Sequence, residues 1–281
     1  MVEYSWSVVI ASLVLAFCVA AVLIGGVKRI ASVSQIIVPF MAVIYIVFVL
    51  VLVVCNITAV PAAFATIVKA AFSPKAITGG AVGSFLVAMQ KGVARGIFSN
   101  EAGLGSAPIA AAAAQTKEPV RQGLVSMTGT FIDTIVICTL TGLSIVLTGA
   151  WQVDGLEGVQ VTTYAFQNGL PLPKELSAFI LMLCLVFFAF TTILGWDYYS
   201  ERCLEYLSGG RMKYVKVYRW IYILAVFIGP YMTVSAVWTI ADIFNGLMAL
   251  PNMIALFALS GVVVKETKHF FERHRNGEIE D

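Results

Sequence analysis

Long apolar runs constrain this chain more than any other feature of its sequence. The hydrocarbon core of a bilayer needs about 20 apolar residues for each helix that crosses it. Seven segments are candidates: 6–24, 36–57, 81–115, 123–148, 176–207, 214–228 and 234–264, of which 214–228 is the shortest. Only 12% of the residues are charged and 59% are hydrophobic, whereas about a quarter of an average soluble domain is charged. The sequence therefore predicts an all-α integral membrane protein with about seven transmembrane helices and lipid around it.

The basic residues predict the orientation of these helices, because Lys and Arg collect in cytoplasmic loops. One side of the membrane receives thirteen of them: Lys28, Arg29, Lys117, Arg121, Arg202, Arg211, Lys213, Lys216, Arg219, Lys265, Lys268, Arg273 and Arg275. The other side receives Lys69, Lys75 and Lys174. We therefore expect a multi-pass protein with a cytoplasmic C-terminus. Residues 60–80, with a helix over 61–72 and a turn at 73–75, and the partly helical loop 151–173 are expected outside.

Several function classes are disfavoured. The net charge of +2 comes without a basic stripe, so no nucleic-acid partner is expected. The sequence contains no H-E-x-x-H, G-x-S-x-G or Walker motif, which argues against an intramembrane enzyme and against ATP drive. The five cysteines stand singly and are expected to be small buried hydrophobes, with no metal or disulfide framework.

Segment 81–115 carries a polar interruption, where glycines, a proline and charged or amide side chains replace the apolar pattern. An uncompensated charge at the bilayer centre costs roughly 2.5–3.5 kcal/mol, so a lipid-facing rod is excluded. We predict a discontinuous helix in which Gly103 and Gly105 end one half and Ser106 and Pro108 begin the next. Unwound backbone at this depth must line a cavity or be covered by protein, and its free N–H and C=O groups can bind a zwitterion and an ion. Re-entrant loops of channels also contain unwound backbone, so the break alone does not distinguish a carrier from a channel.

The role of each ionisable residue within the membrane can be interpreted in two ways. Lys91, Arg95 and Glu101 could form a buried ion pair that only fixes the fold. Asp133 is either a proton or ion relay or a partner of one of these basic residues. Asp242 interrupts the last segment, where a gate or a proline kink explains it.

Polar side chains also interrupt segment 176–207. Thr192 and Trp196 are four residues apart and share one helix face, with Thr191 beside them. A hydroxyl and the carbonyl near Phe188 are hard oxygen ligands suited to a small cation, and Trp196 can wall an apolar pocket. The alternative is that the threonines bond back to their own helix.

The run 92–114 (GVARGIFSNEAGLGSAPIAAAAA) resembles the signature of the alanine or glycine:cation symporter family. The similarity extends in register over nearly the whole chain, including the stretch 191–196 (TTILGW). That family carries alanine or glycine with sodium, occasionally with protons. It has the leucine-transporter fold, in which two inverted five-helix repeats surround a site at the membrane midplane. The resemblance implies sodium-coupled symport of a small neutral amino acid, alanine or glycine, across the plasma membrane by alternating access, with no enzymatic cofactor.

The resemblance also assigns roles to residues of this chain. It implies six substrate-binding residues: Phe98, Ser99, Gly103, Gly105, Thr192 and Trp196. Phe98 would cover the substrate, and the two glycines would leave room for it. Thr191 and Thr192 become the sodium ligands, and Asp133 and Asp242 remain the relay or gate.

The resemblance finally implies one transmembrane domain with four parts. Residues 1–59 correspond to the last two helices of the first repeat, 60–80 to an external interfacial segment, 81–264 to the second repeat and 265–281 to a cytoplasmic tail. The family's earlier helices, including its first broken helix, have no counterpart here, and only five residues precede the first span. We therefore expect an incomplete site, the missing N-terminal helices as a partner, and no independent transport. A non-functional carrier fragment and a channel or packing subunit are the alternatives.

Overall fold

Helices make up all the regular secondary structure of the part of the chain that the structure, a computed structural model, describes, residues 6–71 and 81–279. The longer helices are α1 (Trp6–Leu23), α2 (Gly26–Cys55), α3 (Val60–Ala71), α4 (Ala81–Asn100), α5 (Ala107–Ala111), α6 (Pro119–Leu147), α7 (Val159–Gly169), α8 (Lys174–Leu207), α9 (Met212–Ile228) and α10 (Val234–Arg275). The middle of α6, Ile132–Cys138, is π-helical. The all-helical class predicted from the sequence is therefore confirmed.

Five of these helices are long and apolar enough to cross a bilayer: α1, most of α2, α6, α8 and α10. They contain 18 to 42 residues, and about 20 suffice for a crossing. The helices of the two other predicted segments, α4 (81–115) and α9 (214–228), are not among these five. These lengths make the chain a multi-pass membrane protein, while the total of seven spans stays a prediction.

Two element boundaries differ most from the prediction. Helix α2 begins at Gly26, ten residues before the predicted start at Ile36, because the polar residues between them tolerate a helix. Helix α10 continues through most of the predicted tail to Arg275. The helix predicted over 61–72 is present as α3 up to Ala71, and the turn at 73–75 lies outside the described residues.

The chain forms two compact units, and the first comprises residues 1–84 and 137–233. Its larger core cluster lies among α2, α7 and α8 and contains these buried residues: Tyr45, Val49, Leu52, Phe166, Leu170, Leu181 and Cys184. The Tyr45 hydroxyl donates to the Thr141 hydroxyl of α6 at 2.6 Å, because the Thr141 proton is directed to the Ile137 carbonyl. A second cluster joins α1, α2 and α8 through Val19, Val22, Leu23, Ile30 and Leu194.

The second unit comprises residues 85–136 and 234–281. It contains most of α4, all of α5, the first part of α6 and the whole of α10. Arg273, near the end of α10, donates to the Glu118 carboxylate at 2.7 Å, just before α6 begins. The assignment of residues 1–281 to one transmembrane domain with four parts stays a prediction.

The cysteines depart from the expectation that they are buried. All five are free, but only Cys184 is buried and the other four are exposed. The prediction was wrong for those four because a membrane helix can present apolar side chains outward. Burial is therefore not the default for a small hydrophobe in such a chain.

Candidate functional site

A break in the helical backbone is the central feature of the second unit. Helix α4 ends at Asn100 and α5 begins at Ala107. Between them, Glu101, Gly103 and Gly105 have φ angles of 55°, 85° and 83°. Glycine adopts such left-handed angles at little cost, which explains its presence at two of these three positions. The discontinuous helix predicted from the sequence is present at the predicted glycines.

Side chains close to the break hold its backbone in place. The Ser106 hydroxyl, which is buried, donates to the Glu101 carboxylate at 2.7 Å. The Asn100 side-chain oxygen accepts from the Ala102 amide at 2.9 Å. Glu101 is a non-glycine residue in the left-handed region, where a side chain costs roughly 1–2 kcal/mol. The bond from Ser106 to its carboxylate helps to offset that cost.

Asn252 of α10 ties the break to a second helix. Its side-chain amide donates to the Gly103 carbonyl at 2.9 Å. A Cβ atom added to Gly105 would lie 3.2 Å from the Asn252 side-chain oxygen, so the glycine lets this contact form. Sequence reasoning missed Asn252. Its signal was an amide in an apolar helix, directly after Pro251.

The second half of the broken helix is shorter than predicted. The sequence predicted that segment 81–115 would continue through the alanines, but α5 has only five residues, Ala107–Ala111. Turns follow until α6 begins at Pro119, a favourable residue for the first turn of a helix. A helix this short contributes little dipole. The polar groups available at the break are therefore mainly its own backbone and the side chains that hold it.

Arg95 and Phe98 lie in the last two turns of α4, before the break, and both contact Trp238 of α10. The Arg95 guanidinium pairs with both carboxylate oxygens of Asp242 on α10. It also lies 4.0 Å from the centroid of the Trp238 ring, a cation–π arrangement. Phe98 packs edge-to-face on the same ring, with 5.0 Å between the centroids. The sequence left the partner of Arg95 open, and the structure gives it Asp242, so this residue links α4 to α10.

Asp133 lies at the π-helical part of α6 and faces α4. Its carboxylate oxygens accept from the Ser99 hydroxyl at 2.8 and 3.0 Å. Beside them, the Asn100 amide donates to the Thr134 hydroxyl at 3.1 Å. π-Helical turns within α-helices recur at functional sites, and here the turn presents both acceptors to the end of α4. The partner of Asp133 is thus a hydroxyl donor next to the break, whereas Arg95 takes a different carboxylate.

The remaining predicted residues belong to the first unit. The Thr191 hydroxyl of α8 donates to the carbonyls of Phe187 and Phe188 at 3.0 and 3.1 Å, so it bonds back to its own helix. Thr192 is exposed, and Trp196 packs edge-to-face on Tyr199 with 5.7 Å between the centroids. The structure thus gathers Phe98, Ser99, Gly103, Gly105, Asp133 and Asp242 in one unit and Thr191, Thr192 and Trp196 in the other. A joint site formed by both sets stays a prediction.

Within the described residues, no three acidic, histidine or cysteine side chains cluster as a metal site. The oxygens available to a cation among the predicted ligands are hydroxyls and backbone carbonyls. The Thr191 hydroxyl oxygen, already close to the Phe188 carbonyl, is one such neighbouring pair.

Several long apolar helices, together with a helix that is interrupted by polar, unwound backbone, are consistent with a membrane transporter. The model of the Sodium:alanine symporter family matches residues 2–281, and this chain belongs to that family. It is a family of transporters and not of enzymes, and sodium is its co-transported ion.

Curated relatives agree with this family. The chain is 55% identical to an uncharacterised transporter of Haemophilus influenzae over 267 residues, which are 95% of this chain and 58% of that protein. It is 49% identical to the sodium/alanine symporter AgcS of Methanococcus maripaludis over 270 residues, 95% of this chain and 58% of that protein. It is 34% identical to a sodium/proton-dependent alanine carrier protein of Bacillus sp. strain PS3, covering 90% of this chain and 59% of the relative. The chain thus spans less than two thirds of the length of these relatives.

Proposed function

We propose that this chain forms part of a carrier that moves alanine or glycine with sodium across the plasma membrane by alternating access. The observation that carries the proposal is the break at 101–106, which leaves backbone groups unwound between α4 and α5. Such groups can bind the charged ends of an amino acid, which a continuous helix cannot do. Membership of the Sodium:alanine symporter family supports sodium and alanine as the two ligands.

Substrate binding is assigned to the six residues that the resemblance implies. In this proposal Phe98 covers the substrate, Ser99 and the backbone at Gly103 and Gly105 contact its polar ends, and Thr192 and Trp196 are further contacts. The Phe98 ring is already fixed against Trp238, so it is positioned by a neighbour and not free to rotate at will. A pocket roofed by aromatic rings favours the small side chains of alanine and glycine.

Sodium is assigned to the hydroxyls of Thr191 and Thr192 with the Phe188 carbonyl. The Thr191 hydroxyl oxygen already lies 3.1 Å from that carbonyl oxygen, and rotation of the hydroxyl proton away from the carbonyl would free both oxygens to ligate one cation. Because the name of one relative includes protons as well as sodium, the coupling ion is tested against both.

The pair Arg95–Asp242 is assigned as a gate. It connects α4 to α10 beside the aromatic contact of Phe98 and Trp238, and its side chains keep 35% and 39% of their exposure. A partly hydrated pair can open at low cost, which a gate requires. Asp133 is assigned as a proton or ion relay, and its hydrogen bonds from Ser99 connect it to the residues just before the break.

The architecture proposed for the carrier is the leucine-transporter fold, with 81–264 as its second repeat and 1–59 as the end of the first. Residues 60–80 lie outside and 265–281 in the cytoplasm, which the asymmetry of basic residues supports. The relatives extend beyond the part that this chain matches. We therefore assign transport to this chain together with the N-terminal helices of such a carrier.

Uptake of labelled alanine into proteoliposomes tests the proposal. Two proteins are compared: the chain alone, and the chain joined to the N-terminal helices of the M. maripaludis relative. An inward sodium gradient should drive alanine accumulation only in the joined protein, and replacing sodium by potassium should abolish it. A proton gradient without sodium is applied in a third arm.

The outcomes separate the alternatives. Uptake that ignores sodium contradicts the symport assignment, and sodium-driven uptake by the chain alone contradicts the need for further helices. Alanine flux that equilibrates without accumulation, in either protein, identifies a channel. Glycine and glutamine as competitors measure the size limit of the pocket.

A further inference from the structure

Two acidic residues are buried one helical turn apart in the first unit. Asp197 and Glu201 lie on α8, and their residues retain 0% and 3% of their exposure. Helix α9 packs against α8 at this level through Arg219 and Tyr222. This cluster takes no part in the substrate, sodium or gate assignments above.

The two carboxylates are treated differently by their neighbours. Arg219 donates from its Nε to one oxygen of Glu201 at 2.6 Å and from a terminal nitrogen to the other at 2.9 Å. This bidentate geometry matches the guanidinium fork to a single carboxylate. Both oxygens of Asp197 are buried, and neither has a hydrogen-bond partner among the described residues.

In the part of the chain that the structure describes, no group that faces Asp197 is free to balance its negative charge, because Arg219 is paired with Glu201. On its own helix the charged neighbour is Glu201, and on α9 the neighbours are Arg219, Tyr218 and Tyr222. The Tyr222 hydroxyl is committed to the Ile193 carbonyl at 2.8 Å, and the Ser200 hydroxyl to the carbonyls of Trp196 and Asp197.

The other helices packed in this region are apolar where they meet it. Helix α1 contributes Val19, Val22 and Leu23, and α2 contributes Ile30 and Val33. The nearby basic residues of α2, Lys28 and Arg29, are exposed. No second cation among the described residues therefore faces the pair of acids.

Two carboxylates and one guanidinium leave one negative charge if both acids are ionised. Burying an uncompensated charge costs several kcal/mol, so an ordinary fold would neutralise it. A bound metal ion would need several oxygens arranged around it, and the Ser200 and Tyr222 hydroxyls are already used by backbone carbonyls. A proton needs neither room nor further ligands, and it removes the charge that would otherwise be buried without a partner.

We propose that the Asp197 carboxyl group is a proton-binding site of this protein: it holds a proton while Arg219 is engaged by Glu201 and releases the proton when Arg219 becomes available to it. The step is a simple acid dissociation, in which the O–H bond of the carboxyl group breaks, the proton passes to water, and the carboxylate takes its charge partner from α9. The cluster thereby couples the protonation of α8 to the contact between α8 and α9.

Infrared difference spectroscopy of the full chain in lipid nanodiscs tests this proposal. At neutral pH the wild-type protein should show the carbonyl band of a protonated carboxylic acid, sensitive to deuteration. Asp197→Asn, which keeps the shape of the side chain, should abolish the band. Asp154→Asn, the same change at an exposed loop position, should leave it intact.

A second variant tests the competition for Arg219 and does not depend on the folding of the first. Glu201→Gln releases Arg219, so Asp197 should ionise and the band should disappear at neutral pH although Asp197 is still present. The absence of the band in the wild type, its survival in Asp197→Asn, or its persistence in Glu201→Gln would each overturn the proposal. Since the band is read without transport, the proposal can fail or succeed separately from the carrier assignment.

Discussion

Replacing Gly105 by alanine should destabilise the break more than any other glycine substitution in α4 and the segment after it. Gly105 has a φ of 83°, which costs an alanine roughly 1–2 kcal/mol. Its new Cβ would also lie 3.2–3.3 Å from three atoms of Asn252. Moving Asn252 weakens its 2.9 Å bond to the Gly103 carbonyl, a loss of about 1 kcal/mol.

Together, these two losses lower the free energy of local opening at the break by about 2–3 kcal/mol. The break should therefore open about 30- to 150-fold more often. Two matched variants separate the contributions. Gly103→Ala has the same left-handed strain, with φ of 85°, but its Cβ would meet nothing within 4 Å, so it should lose only about 1–2 kcal/mol. Gly92→Ala lies inside α4 with open space around it and should gain about 0.8–1 kcal/mol of helix stability.

Hydrogen–deuterium exchange of peptides covering 101–106 is the assay, because local opening controls the exchange of protected amides. The informative amides are those of Ala102 and Leu104, which donate to the Asn100 side chain at 2.9 Å and the Glu101 carbonyl at 3.2 Å. A peptide from α9 serves as the internal reference. Equal exchange in Gly105→Ala and wild type, or equal acceleration in Gly92→Ala, would refute the reasoning.

Three further substitutions test other contacts. Asp242→Asn should lower the transport rate of the joined carrier about fivefold, since a partly exposed ion pair contributes about 1 kcal/mol. The matched control, Glu205→Gln in the Arg202–Glu205 pair, should change the rate less than about twofold. Equal effects of the two substitutions would contradict the gate assignment. Thr192→Val should raise the sodium concentration for half-maximal uptake about 10- to 150-fold, because a bond to a charged group contributes about 1.5–3 kcal/mol. Thr163→Val, which loses only a bond to its own helix, should leave it unchanged. An unchanged sodium dependence in Thr192→Val rejects Thr192 as a ligand. Tyr45→Phe deletes the 2.6 Å bond to Thr141 in the first unit's core and should lower the unfolding temperature by about 2–4 °C, whereas Tyr206→Phe at an exposed position should leave it unchanged.

The break was predictable because its cause is local. Glycines, charged groups and a proline inside an apolar run conflict with a lipid-facing helix wherever the rest of the chain lies, so the sequence alone places the interruption. The left-handed angles at Gly103 and Gly105 follow from the same residues.

The partners of the break were not predictable, because they lie far away in the sequence. Asn252 is separated from Gly103 by 149 residues and Asp242 from Arg95 by 147. The sequence shows which residues of α10 are polar, but not which residue of α4 each of them meets. The π-helical turn at Asp133 and the early end of α5 likewise depend on packing and not on composition.

Asp197 illustrates the opposite case, in which a signal was present and not used. Two acids four residues apart in an apolar helix, with an arginine at 219 in the next helix, indicate a buried ionic cluster. The sequence does not show which of the two acids pairs with the arginine. Only the structure shows that Glu201 takes both donors and Asp197 none.

The central claim is that the break binds the substrate, and protection of a cysteine at position 99 tests it most directly. All five native cysteines are free and can be replaced by serine or alanine, after which Ser99→Cys places a thiol at an exposed position beside the break. In the joined carrier, alanine should slow modification of this thiol by a water-soluble maleimide when sodium is present and should have little effect in potassium. A cysteine introduced at Thr163, in the separate helix α7, should react at the same rate in all conditions. Modification at position 99 that alanine and sodium leave unchanged would contradict the account.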